Sequence, residues 1–386
     1  MPFRIHALNI LFSGKYFFYL SLMSSLLFWL CAFIPVSISQ KSFIHPGALN
    51  SGYELNQVKK NIKAGAQPWL NSFNQMKKLA VAGTHSTAPS GENEQKEDGI
   101  KVYANALAWY LTDDVQYANQ AVEIFNMWSR TFRGYVPVSG QNLLVAGWIG
   151  ALMGPAAEIM RAYPRWSRAD KSRLKEMFKA SFYPALNKMS TWNGNVDLTQ
   201  IDAMINIAVF NEDKDEFNLA ISRFNRRVPS YFYQEADGKI PPIEGDNDNV
   251  NKFWSNPARW MDGLTQETCR DNNNHAQYAL ASTLHITETA WHQGIDLYTS
   301  NTKRLTDAME LMALQLTSGD MQGTCFNKVT TSDIYDTWEI GYNHYHIRKG
   351  LHLPNTAKVL QDLVRVKGKS EWNIFFETLT HADLHK

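Results

Sequence analysis

The chain has 386 residues, 44% of them hydrophobic and 12% aromatic, which is enough for a sizeable core and excludes a disordered chain. Its 38 Lys and Arg against 37 Asp and Glu leave a net charge of +1, so no global field attracts nucleic acid. The 12 Trp and 16 Tyr suit either the filling of a large helical core or a cleft whose rings stack on sugar faces.

In chain order, Arg4, His6 and Lys15 precede an apolar run over 16–34, and Pro35 and Ser37-Ile38-Ser39 follow it. A charged start, an apolar middle and a small-residue exit predict a signal peptide over 1–39, with an uncleaved N-terminal anchor as the alternative. The working body is then 41–386, secreted or periplasmic, with no stable membrane association after leader cleavage. No later stretch reads as long and apolar enough to span a bilayer. Cys31 leaves with the leader; Cys269 and Cys325 remain, and in an oxidising compartment their pairing stays open.

Helical periodicity dominates the body. Val115, Ala118, Val122, Phe125 and Trp128 fall on one helix face, and Leu198, Ile201, Met204, Ile205 and Ala208 on another. Short acidic turns separate the helices at Thr112-Asp113-Asp114 and Asn211-Glu212-Asp213, and Pro164 with Ser167 and Asp170 closes one helix and caps the next. Repeated hairpins of this size predict an all-α fold, an α/α barrel or toroid built from antiparallel helical hairpins. The one long interruption, 237–257, carries Glu244, Asp246 and Asp248; without EF-hand spacing it reads as a solvated loop rather than a calcium site.

Three polar segments could carry chemistry. Trp192-Asn193-Gly194-Asn195 opens a helix, where Asn195 has the ordinary role of an N-cap. The stretch 266–278 gathers Glu267, Arg270, Asp271, Asn274, His275, Gln277 and Tyr278. The stretch 338–348 holds Glu339, Tyr342, His344, Tyr345 and Arg348. Each residue by itself reads as structural; together they supply amide, imidazole, phenol and guanidinium with no competing nucleophile elbow, phosphate loop or dinucleotide fingerprint. Glu267 and Glu339 leave a glycoside hydrolase with paired carboxylates open.

At these residues the chain resembles the alginate lyase superfamily of polysaccharide lyases. The resemblance is carried by YANALAWY at 103–110, the Asn-Leu-Leu…Trp run at 142–148, the stretch 195–210, the Glu-Thr-x-Arg-Asp…His…Gln-Tyr block, 294–298 and 304–310, and then the Tyr-Asn-His-Tyr segment at 342–345. It implies an α/α toroid that cleaves a 1,4-linked uronic-acid polymer (alginate, polymannuronate or glucuronan) by β-elimination, with an acidic polysaccharide as partner and no cofactor or metal. It implies Tyr342, His275 and Asn195 as catalytic residues, and Arg270, Asn274, Gln277, Trp192, His344 and Arg348 as substrate-binding ones. The assignment between Asn195 and Asn274 stays open because three Asn precede His275. The chain departs from the family at Val196, where many relatives have Trp. It also lacks the arginine before the catalytic tyrosine, where it has Tyr335; either Arg348 or Arg270 substitutes, or the role is absent. A secreted uronan-binding relative without activity is the other alternative.

Overall fold

The computed structural model describes residues 42–243, 249–326 and 333–384. The expected leader and the acidic positions 244, 246 and 248 lie outside the described residues. The described chain forms helices with no strand among the described residues, only isolated bridges such as Tyr335 with Lys369.

The predicted hairpins form where the turns and caps demand. Helix α1 is Gly52–Lys63, α2 Trp69–Lys77, α3 Glu92–Thr112, α4 Val115–Thr131, α5 Gln141–Met160, α6 Arg168–Met177, α7 Gly194–Asn211 and α8 Lys214–Arg227. Asp114, Ser167 and Asp213 each accept a hydrogen bond from a backbone N–H of the following first turn, which satisfies donors that have no partner inside the helix. Asp113 and Glu212 end α3 and α7 in left-handed conformation, so each chain reversal takes only two residues. Four more helices matter below: α9 Thr268–Asp271, α10 Asn274–His292, α11 Thr302–Ser318 and α12 Glu339–Tyr342; α13 is Glu377–His381.

The helices divide into an inner and an outer set, which is the α/α toroid arrangement. Every residue of α7 is buried, as is every residue of α5 from Leu143 to Met160. Helices α4 and α8 bury one face only: in α4 Ala118, Phe125 and Trp128 point inward while Val115, at the exposed first turn, does not. Helix α5 is long and apolar enough by length and composition to cross a membrane, contrary to the expectation from sequence, yet from Leu143 on it is buried within the protein. It packs closely on α7 through Gly147, Gly150 and Gly154. A Cβ at Gly150 would lie 2.7 Å from the Ala203 Cβ, and one at Gly147 2.9 Å from Thr199 Cγ2. Small residues one turn apart therefore set the distance between the two innermost helices.

Polar contacts buried among these helices fix what the site is built on. Asp197, in the first turn of α7, accepts from Arg223 Nε (2.8 Å), Arg227 Nε (2.7 Å) and Tyr231 Oη (2.6 Å). On α10, His285 sits between Asp202 (2.9 Å) and Glu377 (3.0 Å). Burial opposes its charge, but the two carboxylates hold it protonated, up to about 10. Asn373 bonds Asp202 (3.3 Å) and Ser282 (3.1 Å), which anchors the segment bearing Trp372 against α7 and α10.

Candidate active site

The starts of α7 and α10, with α9 between them in sequence, converge on a cleft of about 420 Å³ lined by Trp148, Trp192, Asn195, Arg270, His275, Tyr278 and Trp372 among others. Backbone conformation explains how. Asn272 and Asn273 both take left-handed φ, +59° and +68°, a turn that asparagine tolerates better than most residues. It reverses the chain between α9 and α10, setting Asp271 against His275. Two of the three consecutive asparagines are thus turn residues, and only Asn274 begins α10. A Cys269–Cys325 disulfide, left open by the sequence, fastens α9 to the segment that follows α11.

Asn195 is not the N-cap. Asn193 takes that place, accepting from Val196 N at 3.2 Å, and Asn195 follows one residue inside the helix. Its Nδ2 donates to both oxygens of Glu267 (2.9 Å each), and its backbone N–H donates to Glu267 Oε2 (3.0 Å). The side-chain amide thus gives one hydrogen, shared between the two oxygens, to a buried carboxylate. Arg270 Nη1 donates to the same Glu267 at 2.6 Å, while its side chain stays 42% exposed at the cleft. The guanidinium thus brings a cationic donor to the cleft at this spot.

His275 lines the cleft with its ring Nδ1 on Asp271 and its backbone N–H on Asp271 Oδ1 (3.1 Å). Tyr278, three residues on and on the same helix face, has its ring 5.9 Å from the imidazole. Behind it stands Tyr335, 4.8 Å ring to ring, whose hydroxyl donates to Asn274 Oδ1 at 2.5 Å. Burial pushes both phenols up. Tyr335 also receives a hydrogen bond from Tyr278 that counters its rise, whereas the same contact pushes Tyr278 further up. Of the pair, Tyr335 is the easier to ionise.

Four residues expected at the site lie elsewhere. Tyr342 is outside the cleft: its ring stacks on His346 at 4.6 Å, its charged neighbours are Asp383, Arg365, Glu339 and Glu310, and its hydroxyl has no hydrogen bond to a described residue. His344 is buried with its ring stacked on Tyr298 (3.6 Å), and burial lowers it to about 4. Arg348 bridges Glu54 and Glu288 at 2.7 Å each, deep in the protein. Gln277 is fully buried and clamps backbone, donating to Asp333 O (2.8 Å) and accepting from Tyr335 N (3.2 Å). Helical spacing made Tyr342 to Arg348 look like a cluster, but the helix turns those side chains toward packing.

Arg270, Asn274, Trp192, His275 and Asn195 do gather at or beside the cleft. The residues that sequence reasoning passed over are Tyr335, Tyr278, Glu267 as anchor, Asp271, and the Trp148–Trp372 stack (3.9 Å), with Lys96 4.0 Å over Trp372. Tyr278 carried a usable signal, its i+3 spacing from His275. Tyr335 carried a weaker one, a lone aromatic in a polar, non-periodic stretch.

The carboxylates exclude a hydrolase pair: Glu267 is buried beneath Asn195 and Arg270, and Glu339 is buried on Arg365, raised to about 7 by burial and not in the cleft. Glu54, Glu288 and His292 lie within metal-binding reach of one another, yet Arg348 already spans both carboxylates, so the group is a closed ion-pair network. A second cavity of about 480 Å³, lined by Lys78, Asp336 and Arg365, has its arginine tied to Glu339.

The sequence profile of the alginate lyase family matches residues 48–242, just over half of the chain. No curated protein matches by sequence. Among solved structures, alginate lyase A1-III of Sphingomonas species A1 is similar at 14% identity, with a TM-score of 0.59 over 89% of this chain and 98% of that one. A histidine-to-alanine variant of A1-III in complex with a tetrasaccharide gives 14% identity and a TM-score of 0.60, over 90% and 98% of the two chains. An alginate lyase from Bacteroides ovatus gives 13% and 0.57, over 87% and 99%.

Proposed function

The chain belongs to the alginate lyase family and is a polysaccharide lyase, and from that premise we propose that it cleaves a 1,4-linked uronic-acid polymer by β-elimination in the His275 cleft. The observation that carries this is the convergence of Arg270, His275 and Tyr278 on one cleft of sugar size, with Tyr335 packed directly behind Tyr278.

The reaction removes the proton beside the uronate carboxylate and expels the glycosidic oxygen on the next carbon. Charge then builds on the carboxylate, and a donor aimed there lowers the barrier by roughly 3 kcal/mol. Arg270 takes that role as the charged donor exposed at the cleft, beside the Asn195 amide that Glu267 holds. Asn195 and Glu267 hold the guanidinium in place. In guluronate the proton and the leaving oxygen lie on opposite sides: His275 Nε2 takes the C5 proton, the C4–O4 bond breaks as the C4–C5 double bond forms, and Tyr335 protonates the leaving oxygen. In mannuronate or glucuronate they lie on one side, and Tyr335 both removes and returns the proton. Tyr278 donates to Tyr335 and stabilises its phenolate. Trp192, 58% exposed at the rim, offers a face for a neighbouring sugar.

We also propose that the protein is exported with its leader cleaved, a location that the Cys269–Cys325 disulfide supports. Incubation with polymannuronate, polyguluronate and glucuronan should yield ultraviolet-absorbing unsaturated uronates. Reducing ends that accumulate without that absorbance would indicate hydrolysis; binding without either product would indicate an inactive relative.

A further inference from the structure

The geometry points to Asp271 as a positioning residue that fixes the tautomer of His275, so that Nε2 faces the cleft as a proton acceptor. Asp271 meets the same histidine twice: Oδ1 accepts the backbone N–H at 3.1 Å, and Oδ2 meets ring Nδ1. A carboxylate offers only lone pairs, so the proton of a neutral ring must sit on Nδ1 and the lone pair on Nε2. Neither partner is free to drift. Asp271 ends α9, which the disulfide at Cys269 fastens from one side and the left-handed Asn272 and Asn273 from the other. Arg270 adds to the frame, with Nε 3.7 Å from Asp271 Oδ2. Tyr278, its ring 5.9 Å from the imidazole, and Tyr335 behind it are phenols that burial pushes up.

A free imidazole in water prefers the opposite tautomer, with the proton on Nε2. Without Asp271, His275 would present a donor to the substrate, the wrong group for taking a proton from carbon. Asparagine at 271 cannot substitute. If its oxygen serves the backbone N–H, its NH₂ faces Nδ1 and forces the proton to Nε2. If it turns over, two N–H groups oppose each other.

The inference rests on the proposed lyase function, and its test separates the two. Nitrogen-15 spectra of histidine-labelled protein, with the His275 resonance assigned through His275→Ala, report the tautomer whether or not the protein is active. In the wild type the ring should carry its proton on Nδ1, and in Asp271→Asn and Asp271→Ala on Nε2 or on a mixture. On polyguluronate, kcat should fall at least about tenfold with KM changed less than about threefold, since ring orientation and not substrate binding is lost. An unchanged tautomer overturns the inference, even if activity falls, and so does an unchanged kcat. If one variant does not fold, the other carries the same test. A wild type that gives no unsaturated product from any uronan, with the tautomer shift intact, refutes the lyase function and leaves Asp271 as the group that sets the ring.

Discussion

Replacing Tyr335 by Phe removes one oxygen atom and separates catalysis from stability. In the folded protein that hydroxyl donates to Asn274 Oδ1 at 2.5 Å and receives the hydrogen bond from Tyr278. Its loss leaves the half-buried Asn274 Oδ1 short of a donor and takes one acceptor from Tyr278, a cost of about 1–3 kcal/mol in stability. If Tyr335 transfers the proton, the rate should fall by about 10²–10⁴, equivalent to roughly 3–5 kcal/mol of barrier. Tyr342→Phe is the matched control. Its hydroxyl bonds to no described residue and its ring lies outside the cleft, so stability should hold within about 0.5 kcal/mol and activity should be unchanged. Initial rates of unsaturated-uronate formation, with thermal melts of both variants, decide the matter. Full activity in Tyr335→Phe, or its loss in Tyr342→Phe, would refute the assignment.

Arg270→Ala should lower kcat by about 10²–10³ on every uronan cleaved, and Arg270→Lys by less; rates within twofold of wild type would return the anion-stabilising role to Asn195. His275→Ala should suppress cleavage of polyguluronate more than of polymannuronate, which product analysis on the two polymers can measure; equal losses would contradict its role as the base of the anti elimination. His292 is raised to about 9: burial opposes its charge, and Glu54 and Glu288 outweigh it. Its contribution, on the order of 3 kcal/mol, is complete below pH 6.5 and lost as pH rises through 9. Melting temperatures should therefore fall more steeply for wild type than for His292→Gln between pH 6.5 and 9.5, and parallel curves would show that the ion-pair network contributes nothing. Gly150→Ala places a Cβ 2.7 Å from Ala203 and should cost about 1–3 kcal/mol in a denaturant titration; a neutral outcome would mean that α5 and α7 can move apart.

The sequence by itself determined the helical architecture. Apolar spacing and acidic turns are local signals, and Asp114, Ser167 and Asp213 cap their helices because a cap is decided within four residues. It also brought out the polar block around Arg270 and His275, since those residues lie close together in the chain. Tertiary structure alone decided which tyrosine joins them. Tyr335 reaches Asn274 across 61 positions only because Gln277 clamps the backbone on either side of Ile334 and α9 is fastened by a disulfide that spans 56 residues. Tyr342, at good helical spacing with Tyr345 and His346, resembled a functional face, but periodicity records that a side chain is half buried and not what it is buried against. The amide of Asn195 was likewise free on paper. A carboxylate 72 residues away, brought against the start of α7, takes one of its hydrogens and holds the Arg270 guanidinium beside it.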